Sequence, residues 1–170
     1  MRYRIQETVV QSSRMRTFLE TVIFTIFVPC TVAGYIPWRL HDGRPYASSA
    51  WILLPAVLLI ILGTAIYLHT AFWGFALHGG GTPAPIAPTQ KLVVVGLHRY
   101  VRNPMYLGVL GIILGQALLF ESRYIAVYAL IVWLIAHFFV LFYEEPTLHR
   151  QFGAEYDTYR DRVPRWIPKL

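Results

Sequence analysis

Residues 50–77 read AWILLPAVLLIILGTAIYLHTAFWGFAL, an apolar run without a formally charged side chain. About 20 apolar residues suffice for an α-helix to cross the hydrocarbon core of a bilayer, so this run predicts a transmembrane helix. Three further apolar runs accompany it, at about 18–37, 104–120 and 124–143. Together the runs predict an all-α integral membrane protein with four transmembrane helices.

The composition agrees with a membrane protein of one domain, residues 1–170. Hydrophobic residues make up 56% of the chain and charged residues only 14%, against about 25% charged residues in an average soluble domain. A soluble domain of this length has too little interior to hide so much apolar surface. The same composition excludes a disordered chain, and the single cysteine, Cys30, excludes a scaffold held by disulfides.

The basic residues predict how the helices are oriented. Twelve of the 15 lysines and arginines fall in the N-terminal segment, the loop between the second and third runs, and the C-terminal tail. Cytoplasmic segments of membrane proteins carry an excess of positive charge. Both termini are therefore predicted to be cytoplasmic, with the protein in the cell inner membrane. The net charge of +6 is then a topology signal, and no nucleic acid partner is expected.

The loop before the third run ends in a polar cluster, HRYVRNPMY, at residues 98–106. Proline is well suited to the first turn of a helix, which predicts that the third helix begins at Pro104. The free backbone N–H groups of such a turn attract anions. A plain basic belt at the membrane surface needs only lysine and arginine, so the added histidine, asparagine and tyrosines favour a binding site.

The second unusual segment begins with Glu144 and Glu145, where the fourth run leaves the membrane. Ionisable residues at such a position are typically functional, although a solvated helix end is the simpler alternative. Downstream, apolar residues recur at spacings of three and four, which predicts a C-terminal amphipathic helix over about 144–162. These residues are Leu148, Phe152, Tyr156, Tyr159 and Val163.

Two features inside the runs are open to a packing interpretation. His137 lies on nearly the same helix face as Glu144. An intramembrane histidine most often makes an interhelical hydrogen bond, and a functional role is the alternative. Gly108, Gly111 and Gly115 form a stripe of small residues, which predicts close approach of a second helix.

The segment GLHRYVRNPMYLG, residues 96–108, resembles the Gly-x-Tyr/His-x-x-x-Arg-His/Asn-Pro-x-Tyr-x-Gly motif of isoprenylcysteine carboxyl methyltransferase-like membrane enzymes. The related phospholipid N-methyltransferases share much of this motif. The C-terminal block of the family is similar to Glu144-Glu145, Leu148, Phe152-Gly153, Tyr156, Tyr159 and Val163-Pro164. The resemblance covers about residues 79–168.

The resemblance implies a membrane methyltransferase that uses S-adenosylmethionine and no metal, with the cofactor bound on the cytoplasmic side. It implies cofactor contacts from the loop and from the first glutamate: Gln90, Lys91, Leu92, Val93, His98, Tyr100, Asn103, Pro104, Tyr106 and Glu144. The charges suit the cofactor, because Arg102 and a helix N-terminus match its carboxylate and Glu144 matches its amine. Arg102 and Glu145 would complete or brace the pocket. His137 or Glu145 would accept the proton of an ammonium acceptor.

The acceptor is expected to be lipophilic or lipid-modified and to arrive through the membrane lipids. In the isoprenylcysteine enzymes an arginine stands one turn before the first glutamate and helps to hold the substrate carboxylate, whereas this chain has Val140 there. A phospholipid amine, a lipid thiol and a small isoprenoid acid are therefore alternative acceptors. A nicotinamide-dependent reductase similar to the sterol reductases, and a non-enzymatic membrane protein, are the alternatives to a methyltransferase.

Overall fold

The structure is a computed structural model that describes residues 2–79 and 92–168, with side chains described for 15–75 and 92–168. The elements within those ranges are helices, and no strand occurs there, which confirms the predicted all-α class. The α-helices are α1 (Arg2–Phe27), α2 (Ile36–Leu40), α3 (Ala50–Leu68), α4 (Pro104–Leu119), α5 (Arg123–Phe139), α6 (Glu145–Phe152) and α7 (Ala154–Arg162). π-Helical stretches at Cys30–Tyr35, His69–Gly79 and Val140–Glu144 and a 3₁₀ turn at Gly96–Arg99 complete the described helices.

Among the described residues, three helical stretches are long and apolar enough to cross a membrane: Met15–Leu40, Ala50–Phe75 and Arg123–Phe152. In each of them an α-helix continues into a π-helical stretch. Helix α4 is apolar but has only 16 residues. It is thus about 24 Å long, whereas the hydrocarbon core is about 30 Å thick. The described part of this membrane protein thus holds three helices of spanning length, and the fourth span stays a prediction.

Helices α3 and α4 pack with their backbones in close approach. A Cβ atom on Gly108 would lie 2.8 Å from the carbonyl oxygen of Gly63, and one on Gly115 would lie 2.7 Å from the carbonyl oxygen of Ala56. A Cβ atom does not approach a carbonyl oxygen that closely, so glycine is required at both positions. At Gly111 the nearest atom is the Gly63 Cα at 3.4 Å, an ordinary contact. The predicted packing role of the stripe is thus confirmed, and two of its members carry it.

The first membrane helix is tied to α4 and α5 through its π-helical stretch. Gln116 Nε2 donates a hydrogen bond to the carbonyl oxygen of Ala33 at 2.6 Å, and the Tyr128 hydroxyl donates to that of Val32 at 2.9 Å. In lipid no water can satisfy a backbone carbonyl, so side-chain donors at such positions stabilise the bundle. The sequence predicts a kink at Pro29, and the change to π-helical winding begins at the next residue.

The C-terminal helix predicted over about 144–162 is divided in two. Helix α6 is the last part of the third membrane stretch and ends at Phe152, and the φ of the next residue, Gly153, is +52°. Glycine adopts such a left-handed conformation at little cost, so the chain turns there before α7 begins. The turn brings Tyr156 and Tyr159, both buried, against the loop that precedes α4.

Candidate active site

A polar pocket lies between the loop before α4, the end of the third membrane stretch, and α7. The predicted site residues that line it are Leu92, Val93, His98, Arg102, Asn103, Glu144 and Glu145. Val140 also lines it and is buried. Gln90 and Lys91 lie outside the described residues. The described residues contain no group of three or more histidine, cysteine or acidic side chains placed to hold a metal ion.

Glu145 is held by two guanidinium groups. Arg165 donates from Nε to Oε1 at 2.6 Å and from Nη2 to Oε2 at 2.8 Å, and Arg102 Nη1 lies 3.1 Å from the same Oε1. The paired hydrogen bonds of a guanidinium fork are among the strongest that a carboxylate makes, and they raise the pKa of Arg165. The Glu145 side chain is only 13% exposed, so both of its oxygens are already engaged in a largely dry environment.

Glu144 has a different environment from its neighbour. The Tyr106 hydroxyl donates to Glu144 Oε2 at 3.0 Å. Among the described residues no cation lies within ion-pair distance of Glu144. A partly buried carboxylate without a cation beside it favours a positively charged ligand group.

Arg102 connects the loop to the C-terminal segment. Its Nη1 donates to the Tyr156 hydroxyl at 3.1 Å, and its backbone N–H donates to the carbonyl oxygen of Pro164 at 2.9 Å. Within the part of the chain that the structure describes, Arg102 Nε is the one buried side-chain nitrogen or oxygen without a hydrogen-bond partner. A buried donor left unpaired costs about 1–3 kcal/mol. Because the Arg102 side chain also lines the pocket, this N–H is a candidate donor to an anionic group bound there.

His98 is buried in the wall of the pocket. Its backbone carbonyl accepts a hydrogen bond from the Tyr159 hydroxyl at 2.8 Å, and its ring meets the edge of Phe75 with the ring centroids 5.4 Å apart. Burial lowers the pKa of the His98 imidazole to about 4, against a backbone hydrogen bond to Val95 that acts in the other direction. The ring is therefore neutral at physiological pH.

His137 lies beside this pocket, not in its lining. The Trp166 indole N–H donates to His137 Nδ1 at 3.0 Å, and Trp133 stacks on the histidine ring with centroids 5.4 Å apart. A neutral imidazole that accepts at Nδ1 carries its proton on Nε2. The histidine thus makes the hydrogen bond that the packing interpretation expects, but with the C-terminal segment.

Three further predicted residues, Asn103, Pro104 and Tyr100, lie near the start of α4. Asn103 is buried, and its Nδ2 donates to the carbonyl oxygen of Arg165 at 3.1 Å. Pro104 is the first residue of α4, as predicted, and is buried. Tyr100 is half exposed and, with Pro104, lines a separate apolar depression.

A second, apolar cavity of about 350 Å³ lies between α1, α3, α4 and α5. It is lined by Phe24, Val28, Pro29, Val32, Tyr67, Met105, Tyr106, Val109, Val132, Ile135, Ala136 and Phe139. Tyr106 belongs to its wall, and the same side chain holds Glu144 of the polar pocket. The Tyr106–Glu144 hydrogen bond therefore links the wall of the apolar cavity to the wall of the polar pocket.

Sequence reasoning missed Arg165 and Trp166, which contact several of the predicted residues. Positive charge in a cytoplasmic tail already accounts for the basic residues there, and the amphipathic pattern stops at Pro164. The available signal was Glu145 itself, because a carboxylate at a membrane edge needs a cationic partner. Tryptophan and arginine side by side after a proline are the residue types that most often anchor contacts between surfaces.

A family model described as phospholipid methyltransferase matches residues 51–155. The match extends from α3 into α7, so it includes both the loop before α4 and the glutamate pair. A comparison with curated proteins gave no match. Since the matched residues are more than half of the chain and contain most of the polar pocket, the protein belongs to the phospholipid methyltransferase family and is a methyltransferase.

Proposed function

We propose that this protein transfers the methyl group of S-adenosylmethionine to a lipophilic acceptor in the membrane. The observation that carries the proposal is that two groups in one pocket each lack a partner, namely a hydrogen-bond acceptor in one case and a cation in the other. Arg102 Nε is a buried donor without a partner, and Glu144 has no cation beside it among the described residues. The methionine end of the cofactor carries a carboxylate and an ammonium group, which are the complements of these two.

In this proposal each pocket residue has a stated task. Arg102 binds the cofactor carboxylate through its Nε–H, and Glu144 binds the ammonium group. Tyr106 holds Glu144, while Leu92, Val93 and His98 form the wall and exclude water. When bound, the cofactor supplies an activated methyl group, so the protein mainly aligns the reactants. Alignment alone can contribute about 7–11 kcal/mol to lowering the barrier.

His137 and Glu145 are proposed to be positioning residues. Both oxygens of Glu145 accept hydrogen bonds or ion pairs from guanidinium groups, and His137 Nδ1 accepts from Trp166. The lone pair of His137 Nδ1 is engaged by Trp166, and three of the about four lone-pair positions of the Glu145 carboxylate face guanidinium groups. An ammonium acceptor would then have to lose its proton before it reaches the site.

The acceptor that we propose is a phospholipid amine, with its hydrocarbon part in the apolar cavity. The cavity lies among the membrane helices, and Tyr106 in its wall is hydrogen-bonded to Glu144 of the polar pocket. In this proposal the amine of the acceptor approaches the cofactor beside this pair. A carboxylate acceptor, as in the isoprenylcysteine enzymes, needs a free cation. The guanidinium of Arg165 is bound to Glu145, the free Nε–H of Arg102 is assigned to the cofactor in this proposal, and Val140 provides no cation.

We further propose that the polar pocket and both termini face the cytoplasm. The positive charge of the tail and loop supports this orientation, as does the water-soluble nature of the cofactor. Single cysteines at Ser12→Cys and Lys169→Cys, in a chain carrying Cys30→Ser, should resist a membrane-impermeant thiol reagent in intact cells. Labelling of either position would reverse the orientation.

The experiment that tests the function starts with ligand-dependent melting of the detergent-solubilised protein. S-adenosylhomocysteine at 100 times its dissociation constant should add about 2.7 kcal/mol of stability, whereas NADPH should leave the melting temperature unchanged. Transfer of a labelled methyl group is then measured with phosphatidylethanolamine, a prenylated cysteine and a long-chain thiol. Stabilisation by NADPH alone would contradict the proposal in favour of a reductase.

A further inference from the structure

We propose that Arg165 is a positioning residue that keeps Arg102 free to bind the cofactor carboxylate. The inference rests on the proposed function, because it assigns Arg102 Nε to that carboxylate. It adds a residue outside the part of the chain that the family model matches, residues 51–155. Arg165 belongs to a short segment, residues 163–166, which we call the C-terminal clamp.

The clamp is fastened to the pocket on both sides of Arg165. Before it, the carbonyl oxygen of Pro164 accepts from the Arg102 backbone N–H at 2.9 Å. At Arg165, the backbone carbonyl accepts from Asn103 Nδ2 at 3.1 Å. After it, the Trp166 indole is bound to a residue of α5 at 3.0 Å. These three hydrogen bonds hold the backbone on both sides of Arg165 in place, and so they keep its guanidinium beside Glu145.

The arrangement at Glu145 decides which atoms of Arg102 remain available. The fork of Arg165 occupies both carboxylate oxygens, and Arg102 reaches only Oε1, through Nη1. Arg102 Nε is left without a partner among the described residues. If Arg165 were absent, Glu145 Oε2 would become free. The guanidinium of Arg102 would then turn towards Glu145 to form its own fork, which is the preferred geometry of such pairs. This movement would displace Nε from the position that the proposal assigns to the cofactor carboxylate.

Arg102 and Arg165 compete for Glu145 in surroundings that contain little water. The side chains of Arg102 and Glu145 are 10% and 13% exposed, so water and salt screen their attraction weakly. An uncompensated Glu145 would therefore draw Arg102 strongly. Arg165 prevents this by satisfying Glu145, and it does so without lining the pocket itself.

The test compares two ligands that differ in the group that Arg102 would bind. S-adenosylhomocysteine carries the amino-acid end, and 5′-methylthioadenosine lacks it. Calorimetry on Arg165→Gln should show S-adenosylhomocysteine bound about ten-fold more weakly than in the wild type, with the affinity for 5′-methylthioadenosine unchanged. Arg162→Gln is the matched control, because this exposed arginine lies three residues away and should leave both affinities unchanged.

A double variant distinguishes positioning from folding. In Arg165→Gln/Glu145→Gln no carboxylate remains to draw Arg102 away, so the affinity for S-adenosylhomocysteine should recover towards the wild-type value. If Arg165→Gln does not fold, Arg165→Lys takes its place, since a lysine makes a single contact and should give a smaller loss of the same kind. Equal weakening of both ligands, no weakening, or no recovery in the double variant would overturn the inference. Failure of the wild type to bind S-adenosylhomocysteine would instead contradict the proposed function.

Discussion

The hydroxyl of Tyr106 donates a hydrogen bond to Oε2 of Glu144 at 3.0 Å, between residues 38 positions apart in the chain. Tyr106 stands in the wall of the apolar cavity, and Glu144 lines the polar pocket. The bond fixes a carboxylate at the boundary between the two spaces. A group that transfers between a water-soluble donor and a lipophilic acceptor would have to cross this boundary.

Glu144→Gln is expected to weaken the binding of S-adenosylhomocysteine. Glutamine keeps the size of glutamate but loses the charge that would bind the cofactor ammonium, and a hydrogen bond to a charged group contributes about 1.5–3 kcal/mol. The dissociation constant should therefore rise about ten- to a hundred-fold. Calorimetry on the purified variant measures this change.

The control for this variant is Glu155→Gln, an exposed glutamate in the first turn of α7. It should bind S-adenosylhomocysteine as the wild type does. Equal affinity in all three proteins would remove Glu144 from the cofactor site. The melting temperature of Glu144→Gln should remain close to that of the wild type, which separates lost binding from lost folding.

Gly108→Ala is expected to destabilise the bundle, and Gly111→Ala is not. The new methyl group at residue 108 would meet the Gly63 carbonyl oxygen at 2.8 Å, whereas at residue 111 the nearest atom is 3.4 Å away. Forcing a backbone apart in a packed interior costs about 1–3 kcal/mol. Thermal unfolding in detergent should show a lower melting temperature for Gly108→Ala only. A similar loss in both variants would mean that α3 and α4 do not approach as closely as the structure has them.

Two of the predicted apolar runs match helices of the structure to within two residues, whereas the run 124–143 belongs to a helical stretch, Arg123–Phe152, that continues for nine more residues. The run 50–77 corresponds to α3 and its π-helical continuation, and the run 104–120 to α4, Pro104–Leu119. Hydropathy works there because a segment in lipid must satisfy its own backbone, which leaves the helix as the solution. Hydropathy predicts that α4 is apolar, but it does not predict whether the helix is long enough to cross the bilayer.

The surroundings of the glutamate pair were less predictable. The apolar spacing of three and four runs through Gly153 without interruption, so the pattern gave one helix where the positive φ of glycine makes two. Only the family resemblance predicted that the loop before α4 and the two glutamates form one site. Glu145 pairs with Arg165, which lies 20 positions further along the chain and beyond a turn. No local sequence pattern predicts such a pair.

The rate of methyl transfer to a phospholipid amine is expected to rise with pH. His137 and Glu145, the candidates for removing the ammonium proton, are both engaged in the structure. The neutral amine must then come from the equilibrium outside the site. Below the pKa of the acceptor the rate should rise about ten-fold for each pH unit. Initial rates with phosphatidylethanolamine at several pH values test this, and His137→Gln should keep the same slope. A range below the pKa of the acceptor in which the rate does not change with pH, and which disappears in His137→Gln, would show that the histidine accepts the proton.

The acid sensitivity of the fold is expected to depend on His98. Burial lowers the pKa of its imidazole from 6.5 to about 4 in the folded protein. Between these two pH values the unfolded chain binds a proton that the folded protein does not, so stability falls as the pH decreases through this window. The full loss is about 3 kcal/mol, from 1.36 kcal/mol for each pKa unit.

His98→Gln removes the titrating group and should therefore flatten the dependence of the melting temperature on pH between 6.5 and 4. Melting curves of both proteins in the same detergent at intervals across this range give the comparison. His149→Gln is the control, because it changes an exposed histidine and keeps His98. If His98→Gln loses stability as steeply as the wild type on acidification, then His98 is not the buried neutral group of the pocket wall, and the acid sensitivity arises from the carboxylates instead.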